Sequence, residues 1–485
     1  LLTTFLHPIL QHKFYFMQLQ KLFTKSLVPA LLFLFTGNSH AQNVGINTTN
    51  PTERLHVAGN IKADTVKPAV LKLTLNAGSG KILTSDANGN ASWQATGNTG
   101  FGVWGDCATN GNISEYNPVA PDDGAVGDWF GFATSIDGNN AIVSATQHDV
   151  GTNSNQGCVY FYRHNGSNWV LQQKVIDPVG MAGEYFGQSV SIDGNWAVVG
   201  ATGGSTGGSA SIYQYNGSSW VFKQKIIDAT SVAGDQFGSG VSISGNYIII
   251  GAEKDDIGTN TDQGSACIFQ YNGTNWVLMQ KITDATGSAT AEFGASVSID
   301  GIYAIVGARW ENVGSNNDQG TASIFRYNGT NWVLMTKVTD ATANQFGISV
   351  SVSGNYVVVG ASAAGIDGEA SVYFYNGSNW VLMQKLVGAS VTGNAAFGVS
   401  VSISDNYIIV GSALHDVGTN QDQGSSSIYI RVGNNWQKLQ FITDPAGVAN
   451  DKLGRSAAID ANTKRFIVGA YLANPGGKVV FGKVN

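Results

Sequence analysis

Four segments of this chain bring carboxylates, amides and a glycine together at one spacing. They read HDVGTNSNQG from His148, DDIGTNTDQG from Asp255, ENVGSNNDQG from Glu311 and HDVGTNQDQG from His415. The oxygen-bearing side chains are Asp149 and Asn153; Asp255, Asp256, Asn260 and Asp262; Glu311, Asn316 and Asp318; and Asp416, Asn420 and Asp422. A hard cation such as Ca²⁺ takes about six to eight oxygen ligands, and a glycine bend lets a loop wrap around it. One expectation is therefore a calcium site or a polar ligand-binding rim. The competing reading is local: Asp and Asn cap the loop backbone in Asx-turns, and glycine supplies the bend. Each loop offers few carboxylates, which favours the local reading for a metal.

Other reactive groups are sparse. His148 and His415 occupy corresponding loop positions, but neither lies in a motif with a Ser or Cys nucleophile, and no phosphate loop or HExxH occurs. Three cysteines, Cys107, Cys158 and Cys267, make no disulfide framework or zinc spacing. They read as buried thiols. Asp177, Asp228, Asp284, Asp340 and Asp444 end corresponding segments and suit turns. Trp169, Trp220, Trp276, Trp332, Trp380 and Trp436 each follow a tight turn. Aromatic faces stack on sugars, so a carbohydrate reading is open, but packing against neighbouring strands is favoured. The Asn-Gly-Ser/Thr triplets at Asn165, Asn216, Asn272, Asn328 and Asn376 match glycosylation acceptors and are better explained as turns.

The elements that position these residues repeat. Phe-Gly recurs at Phe130, Phe186, Phe237, Phe293, Phe346 and Phe397, with a degenerate seventh copy at Leu453-Gly454. The steps are 56, 51, 56, 53, 51 and 56 residues. FGSGVSISGNYIIIGA, residues 237–252, shows the unit: an alternating strand, a short Gly/Asn turn, an apolar run and Gly-Ala. Such units of about 50 residues indicate a β-repeat array. The first strand alternates and carries small residues suited to a crowded axis. The second is apolar on both faces, as in Tyr247 to Ile250, so it must lie between sheets. A third strand carries aromatics, and an Asn-Gly turn, read as type I′, leads to Trp and a fourth. Seven first strands meet only six such hairpins. The segment Ile113 to Pro121 is the expected donor of the missing strand, which would close a ring. The expected fold is all-β: a seven-bladed β-propeller of four-stranded blades, closed by an N-terminal strand.

The Phe-Gly start and Gly-Ala end of each inner hairpin resemble FG-GAP repeats, the blades of integrin-α-type propellers, over residues 130–485. The resemblance implies a non-enzymatic binding protein that adheres to an extracellular protein or polysaccharide. A lectin-like propeller is the alternative. In integrin-type repeats an Asp-rich calcium loop often joins the first two strands. Here a two-residue turn such as Gly245-Asn246 stands there, so calcium is not carried over to that position.

Charged residues make up only 12% of the 485-residue chain, and there are 62 Gly and nine Pro, which suits short strands and tight turns. The net charge is −7. Dispersed acidity gives no nucleic-acid footprint. Residues 1–41 read as upstream residues followed by a signal peptide that starts at Met17. Lys21 and Lys25 precede an apolar core from Leu27 to Phe35, and Ser39-His40-Ala41 sets cleavage after Ala41. That core is too short to span a bilayer, and no other stretch approaches the needed length. The protein is expected to be secreted or at the cell surface. Residues 42–98 read as a β-rich stalk and linker. NVGINTTNPTERLHVAGNI (43–61) and GKILTSDANGNASW (80–93) resemble motifs of secreted Bacteroidetes proteins and tail-fibre-like stalks, which implies trimerisation through this segment. Residues 99–485 form the propeller.

Overall fold

The computed structural model describes residues 113–363, 365, 367–388 and 395–485, together with the backbone of four short strands nearer the N-terminus. The chain divides into two units, Leu1–Gly100 and Phe101–Asn485. In the first unit, Val44–Ile46 pairs in parallel with Leu55–Val57, and Lys81–Ser85 pairs antiparallel with Ala91–Ala95. Cys107, the expected signal peptide with its cleavage after Ala41, and the parts of residues 42–98 beyond those four strands lie outside the described residues.

The second unit is a seven-bladed β-propeller of four-stranded antiparallel sheets. Six blades take their strands in chain order; blade three, for example, is Phe237–Ser244, Tyr247–Ala252, Ser265–Tyr271 and Trp276–Ile282. Blade seven is completed as expected. Its three C-terminal strands, Leu453–Asp460, Arg465–Ala470 and Lys478–Val484, receive Ile113–Val119 as the fourth. The register sets Val119 opposite Val479 and Ile113 opposite Val484. Glu115 on that strand pairs with Arg465 of blade seven at 2.7 Å, and lies 3.3 Å from His164 of blade one. The closure strand thus ties the last blade to the first.

Local chemistry explains the repeat. Each second strand is buried nearly throughout, because both its faces meet neighbouring strands. Hydrophobic clusters fill the gaps between adjacent blades rather than a single centre: Val198, Ile212 and Ile226 of blade two pack with Phe237, Ile248 and Trp276 of blade three. The Phe of every Phe-Gly pair is fully buried. The following Gly has φ near +90°, open to glycine alone at low cost. Its carbonyl lies directly over the Gly of the previous blade's Gly-Ala or Gly-Ser. Serine hydroxyls finish the inner rim. Ser189 Oγ donates to Gly238 O at 2.7 Å, and Ser349 Oγ donates to Gly398 O at 2.7 Å, each from one blade to the next.

The outer hairpins depart from the type I′ expectation. Asn272–Asn275 form a four-residue loop between the paired Tyr271 and Trp276, and only Gly273 has a positive φ. Asn272 serves through its side chain: Oδ1 accepts from the Thr274 and Asn275 N–H groups at 2.9 Å each. The tryptophans that follow are 2–8% exposed and seal blade joints. Trp220 stacks on Phe161 of the preceding blade at 4.5 Å, and Trp169 stacks on Phe481 at 4.6 Å. Glutamines clamp the same joints. Gln224 Nε2 donates to Trp276 O at 3.0 Å, and Gln224 Oε1 accepts from Trp276 N at 2.9 Å. These buried rings offer no face to a sugar, so packing is their role.

Candidate functional site

The four long loops share one internal geometry. Asp149 Oδ1 accepts from Asn155 N at 2.8 Å, Asp256 Oδ1 from Asp262 N at 2.9 Å, Asn312 Oδ1 from Asp318 N at 2.9 Å and Asp416 Oδ1 from Asp422 N at 2.8 Å. The donors Asn155, Asp262, Asp318 and Asp422 all have φ of 51–55°. Asn153, Asn260, Asn316 and Asn420 each donate Nδ2 to a glutamine Oε1, at 2.7–2.9 Å. Three of those glutamines reach on to the carbonyl of Asp177, Asp284 or Asp444 at 2.7 Å, and Gln319 reaches Thr339 instead. Asp149, Asp256 and Asp416, with Asn153, Asn260, Asn316 and Asn420, therefore brace the loops in the manner of the local reading. Among the described residues, no three His, Cys, Asp or Glu side chains are grouped to hold a metal ion.

The first acidic residue of a long loop meets a cation of this chain. Lys281, on the fourth strand of blade three, lies 2.6 Å from Asp255 and 2.8 Å from Asp228 at the exit of blade two. Lys337 likewise bridges Asp284 at 2.5 Å and Glu311 at 3.6 Å. Burial opposes ionisation of Asp228, yet Lys281 and Thr230 together hold its carboxyl below the usual range. Burial outweighs the lysine at Glu311 and raises that carboxyl. Asp228 Oδ1 also accepts from Thr230 N at 2.9 Å, so the turn role read from sequence is half of its work.

Histidine replaces the acid in two loops. His148 Nδ1 contacts Asp128 at 2.8 Å, and Lys174 Nζ reaches His148 Nε2 at 2.9 Å and Asp123 at 2.5 Å. In blade six, Phe441 stands where blades one to five carry lysine, and His415 packs edge-on against it at 5.4 Å. Burial lowers the His415 pKa, which keeps the ring neutral beside an apolar partner. Cys158 and Cys267 are buried, and burial pushes both thiols up to about 12.

The loops converge on the mouth of the central channel. The residue before each Phe-Gly or Leu-Gly pair is left-handed: Trp129, Tyr185, Gln236, Glu292, Gln345, Ala396 and Lys452 have φ of 53–63°. Non-glycine residues adopt this conformation at a cost, and such positions cluster at functional sites. The long loops hold four of them. The carbonyls of Asn155, Asp262, Asp318 and Asp422 accept from the N–H of Tyr185, Glu292, Gln345 and Lys452, at 3.0–3.3 Å.

Behind this ring lies a cavity of about 460 Å³, lined on its inner wall by serine and by small and apolar residues. Its charges are Glu253, Arg309 and Arg455. Arg309 lies 3.1 Å from Glu253 and also pairs closely with Glu292. Burial raises the Glu253 carboxyl, with Arg309 opposing. Arg455 stands 4.5 Å over the Phe132 ring and makes no ion pair among the described residues. Phe132 belongs to an aromatic cluster with Trp129 and Tyr471, at centroid distances of 5.3–5.7 Å.

The FG-GAP repeat family matches this sequence six times, over residues 114–162, 169–214, 220–269, 276–325, 332–375 and 380–430. The chain belongs to the FG-GAP repeat family. Each FG-GAP repeat after the first begins on the outer strand of one blade and ends on the third strand of the next. The first repeat begins within Ile113–Val119, whose blade is the seventh, so the family's repeat unit itself requires ring closure. A search of curated proteins finds no match. The FG-GAP fold is typically a binding fold, and its mouth here combines an aromatic cluster, a carboxylate pair held by Arg309 and a guanidinium, Arg455, with no ion-pair partner among the described residues. The sequence reading named the long loops but not the mouth residues. The signal was available: the position before Phe-Gly differs in nearly every copy, while its surroundings repeat. No helix among the described residues is long and apolar enough to cross a membrane.

Proposed function

We propose that this FG-GAP propeller is an exported, non-enzymatic binding protein that recognises an extracellular ligand at its channel mouth, in adhesion at or beyond the cell surface. One observation carries the reading. The blades repeat their cores, hairpins and clamps, yet the seven left-handed mouth residues comprise Trp, Tyr, two Gln, Glu, Ala and Lys. A purely structural ring has no need of such diversity, whereas a ligand-specific surface does. In this reading the long-loop residues Asn155, Asp262, Asp318 and Asp422 hold the mouth in shape, and Asp149, Asp256 and Asp416 rim the same face. Residues 42–98 act as the stalk that presents the propeller, by trimerisation in the tail-fibre-like manner.

A carbohydrate ligand is favoured over a protein by the Trp129–Phe132–Tyr471 cluster, which sets apolar ring surface beside polar and charged groups at a cavity of sugar size. The test is a binding screen of the mature chain against immobilised extracellular glycans and proteins. Tyr185→Ala and Gln345→Ala should abolish capture, while Asn246→Ala, in a turn at the far end of the first strand, should not. Equal binding by all three variants, or turnover of the captured ligand, would overturn the proposal.

A further inference from the structure

The charges of the channel are unevenly matched. Arg309 has two carboxylates, Glu253 and Glu292. Arg455 lines the same cavity, on the first strand of blade seven, and has none among the described residues. Its neighbours are otherwise engaged. Ser456 donates to Gly131 O at 2.8 Å, and Thr134 donates to Ser456 Oγ at 3.1 Å. Lys452, three residues away, is held by Asp422 at 2.7 Å. A half-buried guanidinium without a counter-ion is left partly desolvated, and its planar fork matches a carboxylate in two parallel hydrogen bonds. The Phe132 ring beneath it supports one face and leaves the N–H edge free for a ligand.

We propose that Arg455 receives the carboxylate of an acidic sugar at the channel mouth, the sugar ring lying against the Trp129–Phe132–Tyr471 cluster. The inference rests on the mouth being the binding face. It specifies the ligand as a uronic-acid-type saccharide rather than a neutral one. The carboxylates of Glu253 and Glu292 argue the same way. A pocket for phosphate or sulfate would gather several cations, whereas here the cavity's second guanidinium, Arg309, is paired with Glu253 and Glu292, whose oxygens can also accept from sugar hydroxyls. An acidic peptide would also satisfy Arg455, but the aromatic cluster favours the ring face of a sugar.

The test uses the full mature chain and three probes of equal length: an oligogalacturonate, its carboxyl-reduced neutral counterpart and an oligoglutamate peptide. The expected result is at least tenfold tighter binding of the oligogalacturonate than of the neutral sugar. Arg455→Gln should erase that preference, while the exposed Arg326→Gln keeps it. Should Arg455→Gln fail to fold, phenylglyoxal modification of Arg455 in the unaltered protein gives the second readout, and the oligogalacturonate should slow it. Equal binding of acidic and neutral sugars, or a preference that survives Arg455→Gln, overturns the inference while leaving the mouth as a binding face. Selective binding of the peptide overturns the sugar assignment. Binding of the acidic sugar that Tyr185→Ala and Gln345→Ala leave intact overturns the mouth reading itself.

Discussion

Gly251 lies directly under the carbonyl oxygen of Gly294 in the next blade: a Cβ on Gly251 would come within 2.0 Å of it. The same contact recurs at Gly307 under Gly347 and at Gly411 under Gly454, both at 2.0 Å. The two glycines of the repeat are therefore one interlocking device. The first turns its carbonyl inward with a positive φ, and the second leaves room for it. Gly251→Ala should force blades three and four apart and destabilise the propeller by about 3 kcal/mol or more, as overpacking against backbone does. Gly273→Ala is the control. Its Cβ would meet nothing within 4 Å, so only strain at φ +95° remains, about 1–2 kcal/mol. Urea unfolding of both variants measures the difference, and equal losses would refute the interlock.

Lys281 neutralises two carboxylates from two segments, Asp228 and Asp255. Lys281→Met should cost about 2–3 kcal/mol at neutral pH, below the full cost of breaking a buried pair because the lysine keeps some exposure. The pH dependence has a definite sign. The Asp228 carboxyl is held below its ordinary range in the fold. Its stabilisation is therefore present above about pH 4 and lost as pH falls through the folded value. Asp228→Asn should lower stability at pH 7 and flatten that acid limb in thermal melts. An unchanged limb would show that the ion pair contributes nothing.

The long loops are built on backbone capping, with Asp256 bonded to the Asp262 N–H at 2.9 Å. Chelation with EDTA should leave the Tm of the purified protein unchanged. Asp256→Ala should lower stability by about 1 kcal/mol whether or not Ca²⁺ is present, as loss of a cap does. A calcium-dependent rise in Tm that Asp256→Ala removes would restore the metal reading.

The closure strand leaves no blade edge open. A chain that begins at Ala120 would expose Lys478–Val484 as an unpaired edge and strip Arg465 of Glu115. Its melting temperature should fall relative to a chain beginning at Phe101, and size-exclusion chromatography should reveal self-association through the bare edge. A monomer of unchanged Tm would mean that the strand is dispensable.

Local pattern and long-range placement contributed differently to these conclusions. The Phe-Gly spacing, the doubly apolar second strands and the shortfall of one outer hairpin were enough to read seven blades and the donor segment at Ile113, because β periodicity and strand pairing are written in local sequence. Asx capping by Asp149, Asp256 and Asp416 was legible for the same reason, being completed within six residues. Partners brought from other blades were not. That Lys281 would reach Asp228 of the preceding blade, or that Trp220 would stack on Phe161, depends on blade-to-blade approach across about 50 residues, which no short window encodes. The mouth was hidden most fully. Seven residues of six types, from Trp129 to Lys452, become one ring only when the propeller closes and brings the same backbone position of every blade together.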